Sequence, residues 1–230
     1  MEFEACIESL EGALLADKYG ADRVELCSAL HEGGLSPSTA LCRQVVQQSQ
    51  QKVFAMIRPV AGGFVYSARE LELMKMEIVE LAQTGIQGVV FGVSNPDGSL
   101  NAEANQGLIA VAKEQGLESV CHRAFDFTPD PFAALESIIE WGFGRLLSSG
   151  QQAKAIDGLD LLVRLKEAAQ DRIEIMAGSG LMASAMPAFK ASNLDAVHFT
   201  VGAFEADVPL GMGARLISDE EKVKGILAFK

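Results

Sequence analysis

The chain has 230 residues, 49% hydrophobic and 22% charged, a balance that suits one large domain or two small ones and excludes a disordered chain. A formal net charge of −12 and a pI near 4.7 argue against nucleic acid or an anionic membrane as the main partner, since both reward clustered Lys and Arg. There is no long apolar run and no basic, apolar leader, and Cys6, Cys27, Cys42 and Cys121 are too scattered for a disulfide framework, so a cytoplasmic protein with reduced thiols is expected.

Apolar strands and amphipathic helices alternate along the chain. Phe3 to Ile7 reads as the first strand, and Leu10, Leu14 and Leu15 as the stripe of a helix stopped at Gly20. Asp22 to Cys27 is the second strand. Ser36-Pro37 then supplies an N-cap and first-turn proline for a helix with Leu41, Val45 and Val46 inside. Val53 to Ile57 follows as a strand, and Ser67-x-x-Glu70 has capping-box spacing for a helix buried along Leu71, Met74, Ile78 and Leu81. Gly88 to Phe91 predicts the fourth strand, Asn95-Pro96-Asp97-Gly98 a turn and Asn101 to Glu114 a helix. The fifth strand, Ser119 to His122, runs straight into Arg123-Ala124-Phe125-Asp126 before Asp130-Pro131 caps a helix through Trp141.

Arg145 to Leu147, Ile173 to Met176 and Ala196 to Thr200 are the last three strands, separated by a helix over Leu159 to Ala169 and a shorter one carrying Pro187 and Phe189. Gly211-Met212-Gly213 marks a loop, and Ser218-x-x-Glu221 caps a final helix to Ala228. Eight such pairs without a linker predict an α/β protein, a single-domain (β/α)8 TIM barrel over residues 1–230. An open doubly wound sheet would carry a glycine-rich dinucleotide loop after the first strand, and Cys6 to Leu10 contains no glycine.

In a barrel the chemistry belongs at the carboxyl ends of the strands. The first two strands end alike, in Glu4-Ala5-Cys6 and Glu25-Leu26-Cys27, so each places a carboxylate and a thiol on one face. Arg58 ends the third strand, His122 and Arg123 with Asp126 end the fifth, and His198 lies in the eighth. Ionisable groups in this number point to a binding site, because burying them for packing alone is costly. The alternative is a self-satisfied network pairing Glu25 with Arg58 and Glu4 with Arg123. The thiols Cys6 and Cys27 suit Cu(I) or Zn²⁺, whereas Glu4, Glu25, His122 and His198 suit a harder divalent ion. The loops Ser148-Ser149-Gly150 and Gly178-Ser179-Gly180 each precede a helix, which makes Ser149, Gly150, Gly178 and Gly180 candidates for binding a phosphate or carboxylate through backbone N–H groups. No Lys lies near the carboxyl end of a predicted strand, which counts against a Schiff-base aldolase, and no motif calls for an organic cofactor.

Five segments together resemble the CutC family, named for copper homeostasis: Gly20-Ala21-Asp22-Arg23-Val24-Glu25-Leu26-Cys27-Ser28, Glu32-Gly33-Gly34-Leu35-Ser36-Pro37-Ser38, Met56-Ile57-Arg58-Pro59, Gly88-Val89-Val90-Phe91-Gly92 and His122-Arg123-Ala124-Phe125-Asp126. The resemblance runs from Glu4 to about Gly213. It implies a cytoplasmic barrel, forming homo-oligomers such as a dimer or tetramer, with Cys6 and Cys27 matching the thiols proposed for Cu(I). It supplies no reaction. Two departures stand out: Val60-Ala61-Gly62-Gly63 replaces the family's Arg, two glycines and Asp, and Gly178-Ser179-Gly180 replaces its triple glycine. Two functions follow. One is copper handling without catalysis, through Cys6 and Cys27. The other is an enzyme acting on a small anionic metabolite, with Arg58 and Arg123 clamping the anion, His122 as general acid or base, Glu25 as base or orienting carboxylate, and Asp126 and His198 beside them.

Overall fold

The computed structural model describes residues 1–205 and 214–230, and within them the predicted alternation closes on itself. Strands β1 (Glu2–Ile7), β2 (Arg23–Leu26), β3 (Lys52–Met56), β4 (Gly88–Phe91), β5 (Glu118–Cys121), β6 (Arg145–Ser148), β7 (Glu174–Gly178) and β8 (Ala196–Thr200) pair in that order, and β8 returns to β1 in parallel. Around them run α1 (Leu10–Lys18), α2 (Thr39–Gln48), α3 (Ala68–Ala82), α4 (Ala102–Glu114), α5 (Pro131–Trp141), α6 (Leu159–Ala169), α7 (Met186–Ala191) and α8 (Glu220–Leu227). This is the (β/α)8 barrel predicted from the alternation. The loop at Gly211-Met212-Gly213 lies outside the described residues.

Side-chain caps set most helix starts. The Ser67–Glu70 capping box forms in both directions, Asn101 accepts from the Ala104 N–H, and Asp130 caps α5 with Pro131 in its first turn. Two caps differ from the sequence expectation. Helix α2 starts at Thr39, capped by Ser38, because Ser36 is occupied elsewhere: its hydroxyl donates to Glu77 and accepts from the Arg58 N–H. Helix α8 is capped by Asp219, since Ser218 belongs to β10 (Leu216–Ser218), which pairs antiparallel with β9 (Gly202–Phe204). These two strands of three residues each are too short to show a period in the sequence.

Alternation along each strand separates two cores. Phe3, Ala5, Ile7, Val89 and Phe91 face the helices, while Cys6, Cys27, Phe54, Met56, Val90 and Val120 form a smaller cluster inside the barrel. The Phe54 ring fits there because β4 begins at Gly88; a Cβ on Gly88 would sit 2.3 Å from the ring.

The amino-terminal half of the interior is ionic. Register sets Glu4 opposite Arg23 on one side and His198 on the other. Arg23, buried, donates from Nε to Glu4 at 2.8 Å, and the rest of its guanidinium pairs with Glu2 and Glu174. Arg145 donates to Glu174 at 2.9 Å, lies 3.6 Å from Glu4, and covers the Phe54 ring at 4.6 Å. Glu4 is therefore neutralised by Arg23, Arg145 and His198. The pairing of Glu4 with Arg123 expected for a self-satisfied network does not form, because Arg123 follows the far end of β5.

Candidate functional site

The Glu-x-Cys repeat brings its side chains together at the opposite end. Cys6 on β1 donates from Sγ to Glu25 Oε2 at 3.3 Å, and Cys27, just past β2, does so at 3.6 Å. One donor atom from each of Cys6, Glu25 and Cys27 falls within 4.8 Å of the others, and all three residues are buried. His198 on β8 bridges this group to the ionic interior, with Nδ1 2.8 Å from Glu4 Oε1 and Nε2 3.5 Å from Glu25 Oε2.

Charge follows from this geometry. Burial works to raise the Glu4 carboxyl, but His198, Arg23 and Arg145 overcome it and hold the pKa at about 2. Burial also opposes charge on His198, yet Glu25, Cys6 and Glu4 hold its pKa well above 6.5, so the imidazole carries its second proton between two carboxylates. Glu25 is raised by burial and by the Glu4 charge. The hydrogen bond with Cys27, together with burial, pushes the Cys6 thiol well above its ordinary 9.0. For Cys27 the hydrogen bond with Cys6 is lowering, and burial with Glu25 still takes it up to about 11. Both thiols hold their protons until something displaces them.

A cavity of about 350 Å³ opens above this cluster, with Cys6, Glu25, His122, Arg123, His198 and Lys222 among its polar lining. His122 follows β5 and starts a short 3-10 turn over Arg123–Phe127. Its Nδ1 accepts from the Ala124 N–H at 3.2 Å, and its ring packs 4.5 Å from that of Phe64. Gly92 leaves the space, since a Cβ there would come within 2.8 Å of His122 Nδ1. Burial, with help from Arg58 and Arg123, holds the imidazole neutral with a pKa of about 3.

The other predicted residues divide. Arg58 donates to the carbonyls of Glu32 at 2.9 Å, Gly34 at 2.8 Å and Gly62 at 2.7 Å, so its guanidinium fastens two loops. It is not placed to clamp an anion in the cavity, and it does not pair with Glu25. Arg123 does line the cavity, but its Nε is held by Asp126 at 2.9 Å. The Asp126 carboxylate accepts from the backbone N–H of Ser149 at 3.0 Å and of Gln151 at 3.3 Å, and from the Ser148 hydroxyl at 2.5 Å. Ser149 and Gly150 therefore belong to a nest already filled by the chain's own anion, and the Gly150 N–H donates to Ser148 Oγ. Gly178 ends β7 where a Cβ would lie 2.4 Å from Leu147, a packing requirement, whereas Gly180 and Ser179 line the cavity. Cys121 packs in the outer core, on the face that strand alternation gives it, and Cys42 packs there from helix α2.

A profile of the CutC family matches residues 1–203. The chain belongs to the CutC family. A CutC family protein of Glaesserella parasuis is 36% identical over 241 aligned residues, covering all of this chain and 98% of that one. The human copper homeostasis protein cutC homolog is 45% identical over 178 residues, 77% of this chain and 64% of its own length. A Streptococcus agalactiae crystal structure, described as a CutC copper homeostasis protein, superposes with a TM-score of 0.81 at 30% identity, over 86% of this chain and 98% of that one.

Three charged positions in this CutC-family chain that the sequence pattern does not reveal lie in the cavity lining or in the ionic network beneath it. Arg23 and Arg145 stand at the amino-terminal starts of β2 and β6, where a charged residue usually faces water. Lys222 is on α8, yet its Nζ reaches Thr200 Oγ1 and the Gly202 carbonyl, each at 2.8 Å, at the carboxyl end of β8. The expectation of no lysine at the strand ends fails because that amine arrives from a helix. Burial lowers its pKa.

Proposed function

We propose that this CutC-family chain handles Cu(I), taking the ion as cargo between Cys6 and Cys27 at the mouth of the barrel. The observation that carries the reading is the convergence of two thiols and a carboxylate within 4.8 Å on a buried floor that opens to a cavity. Two thiolates favour Cu(I) over the harder divalent ions that carboxylate and imidazole alone would select. Cargo binding displaces the thiol protons, and Glu25 and His198 stand beside the sulfurs that lose them. The names of the human and streptococcal relatives, both of which refer to copper homeostasis, support the same reading. So do the four free cysteines, which suit the reducing cytoplasm in which we place the protein. Assembly into a dimer or tetramer is carried by the family resemblance and is checked by light scattering.

The test is anaerobic Cu(I) competition against a chromogenic chelator, on the wild type and on a Cys6→Ser, Cys27→Ser double variant. The wild type should bind one Cu(I), and the variant should lose it while keeping its circular dichroism spectrum. Equal stoichiometry and affinity in the two proteins would remove copper handling through these thiols.

A further inference from the structure

Two residues that line the cavity each bury a polar atom with no hydrogen-bond partner among the described residues, Glu25 Oε1 and His122 Nε2. Leaving such atoms unmet is costly, so a site that keeps two of them in one cavity is shaped for something else to meet them. They are complementary in kind. His122 Nδ1 accepts from the Ala124 N–H, so the neutral ring carries its proton on Nε2, a donor. Glu25 Oε1 belongs to a carboxyl whose other oxygen already serves both thiols and His198, and it is the free acceptor.

A third group completes the set. Lys222 commits two of its three ammonium protons, to Thr200 and to the Gly202 carbonyl, and makes no ion pair among the described residues. It is the opposite case to Arg123, whose charge Asp126 takes up. A lysine without a counter-ion among the described residues, on a partly apolar wall, is a seat for an anion. Met56, Phe64, Leu181 and Phe199 supply apolar wall in the same cavity. At about 350 Å³ the cavity lies at the small end of ordinary ligand pockets.

We infer that the cavity binds a small 2-hydroxy carboxylate with an apolar substituent: the carboxylate on Lys222, the hydroxyl oxygen accepting from His122 Nε2–H and donating its proton to Glu25 Oε1, and the substituent against Phe64 and Met56. This goes beyond the copper reading and needs neither thiol. It replaces Arg58 and Arg123 as anion clamp by Lys222, and it assigns partners to both orphaned atoms.

The probe is 3-phenyllactate, titrated calorimetrically into the reduced, metal-free protein beside 3-phenylpropionate, which keeps the carboxylate and ring but lacks the hydroxyl. Wild type should bind phenyllactate about tenfold or more tightly than phenylpropionate, the loss expected when buried polar groups go unmet. His122→Phe should erase that preference while still binding phenylpropionate, which also reports that the variant folds. Lys222→Met should weaken both acids about tenfold and leave their ratio intact. The inference is overturned by absence of phenyllactate binding up to about 10 mM. Equal affinity for the two acids in the wild type, or unchanged affinity in Lys222→Met, overturns it as well. None of these outcomes bears on Cu(I) binding, which is read separately through the cysteine variant.

Discussion

His122 is neutral for a geometric reason, and that has a measurable effect on stability. Its ordinary pKa of 6.5 falls to about 3 in the folded protein, so on acidification the unfolded chain takes up a proton that the folded one refuses. The stabilisation is present above pH 6.5 and is lost as pH falls through the folded value. Across that window the wild type should lose stability relative to His122→Asn by about 1.4 kcal/mol per pH unit. Glu4, held at about 2, also loses its contribution in acid, but it does so in both proteins and cancels in the difference. Urea denaturation at a series of pH values makes the comparison, and parallel curves for the two proteins would show that the ring is not buried neutral. His122 was legible as a site residue because it stands at a strand end. Its tautomer was not, because that depends on the Ala124 N–H folding back within the 3-10 turn.

At the scale of elements, loops with the same appearance in sequence do different work. Both glycine-bearing loops after β6 and β7 look like anion seats, yet the first is closed by Asp126 arriving from the turn after β5. Removing that carboxylate should reopen the nest. Asp126→Ala ought to cost about 2 kcal/mol or more, since charge-assisted hydrogen bonds to two backbone N–H groups and the pair with Arg123 are lost together. Added sulfate should then raise the melting temperature of the variant more than that of the wild type. An equal sulfate response in the two would mean that the vacated nest takes no anion. The period-2 Glu-x-Cys repeat was fully readable, because strand geometry alone sends residues two apart to one face. What lies across a loop from a neighbouring strand leaves no such period, so Asp126 could be named as a site residue but not given its partner.

For the whole molecule, alternation of strand and helix was enough to specify the barrel, since each element must bury one face and eight parallel units close the sheet. The interior was harder to read. Arg23 and Arg145 sit on separate strands far apart in the sequence and share Glu4 and Glu174 only once the barrel has closed. Their network ties β1, β2, β6 and β7 together and passes through His198 on β8 to the thiol floor. Arg23→Met should therefore cost about 3–5 kcal/mol, because the loss of one cation leaves buried Glu4 short of compensation. Adding Glu4→Gln to that variant should recover part of the cost, whereas Glu4→Gln alone should destabilise by leaving Arg23 in excess. Chemical denaturation of the two single variants and the double variant gives the coupling directly. Strictly additive costs would mean that Arg23 and Glu4 act independently. A coupled result would show that the pair acts as one unit, and the same Glu4 that anchors Arg23 also contacts the His198 ring beside the Cys6, Glu25 and Cys27 cluster.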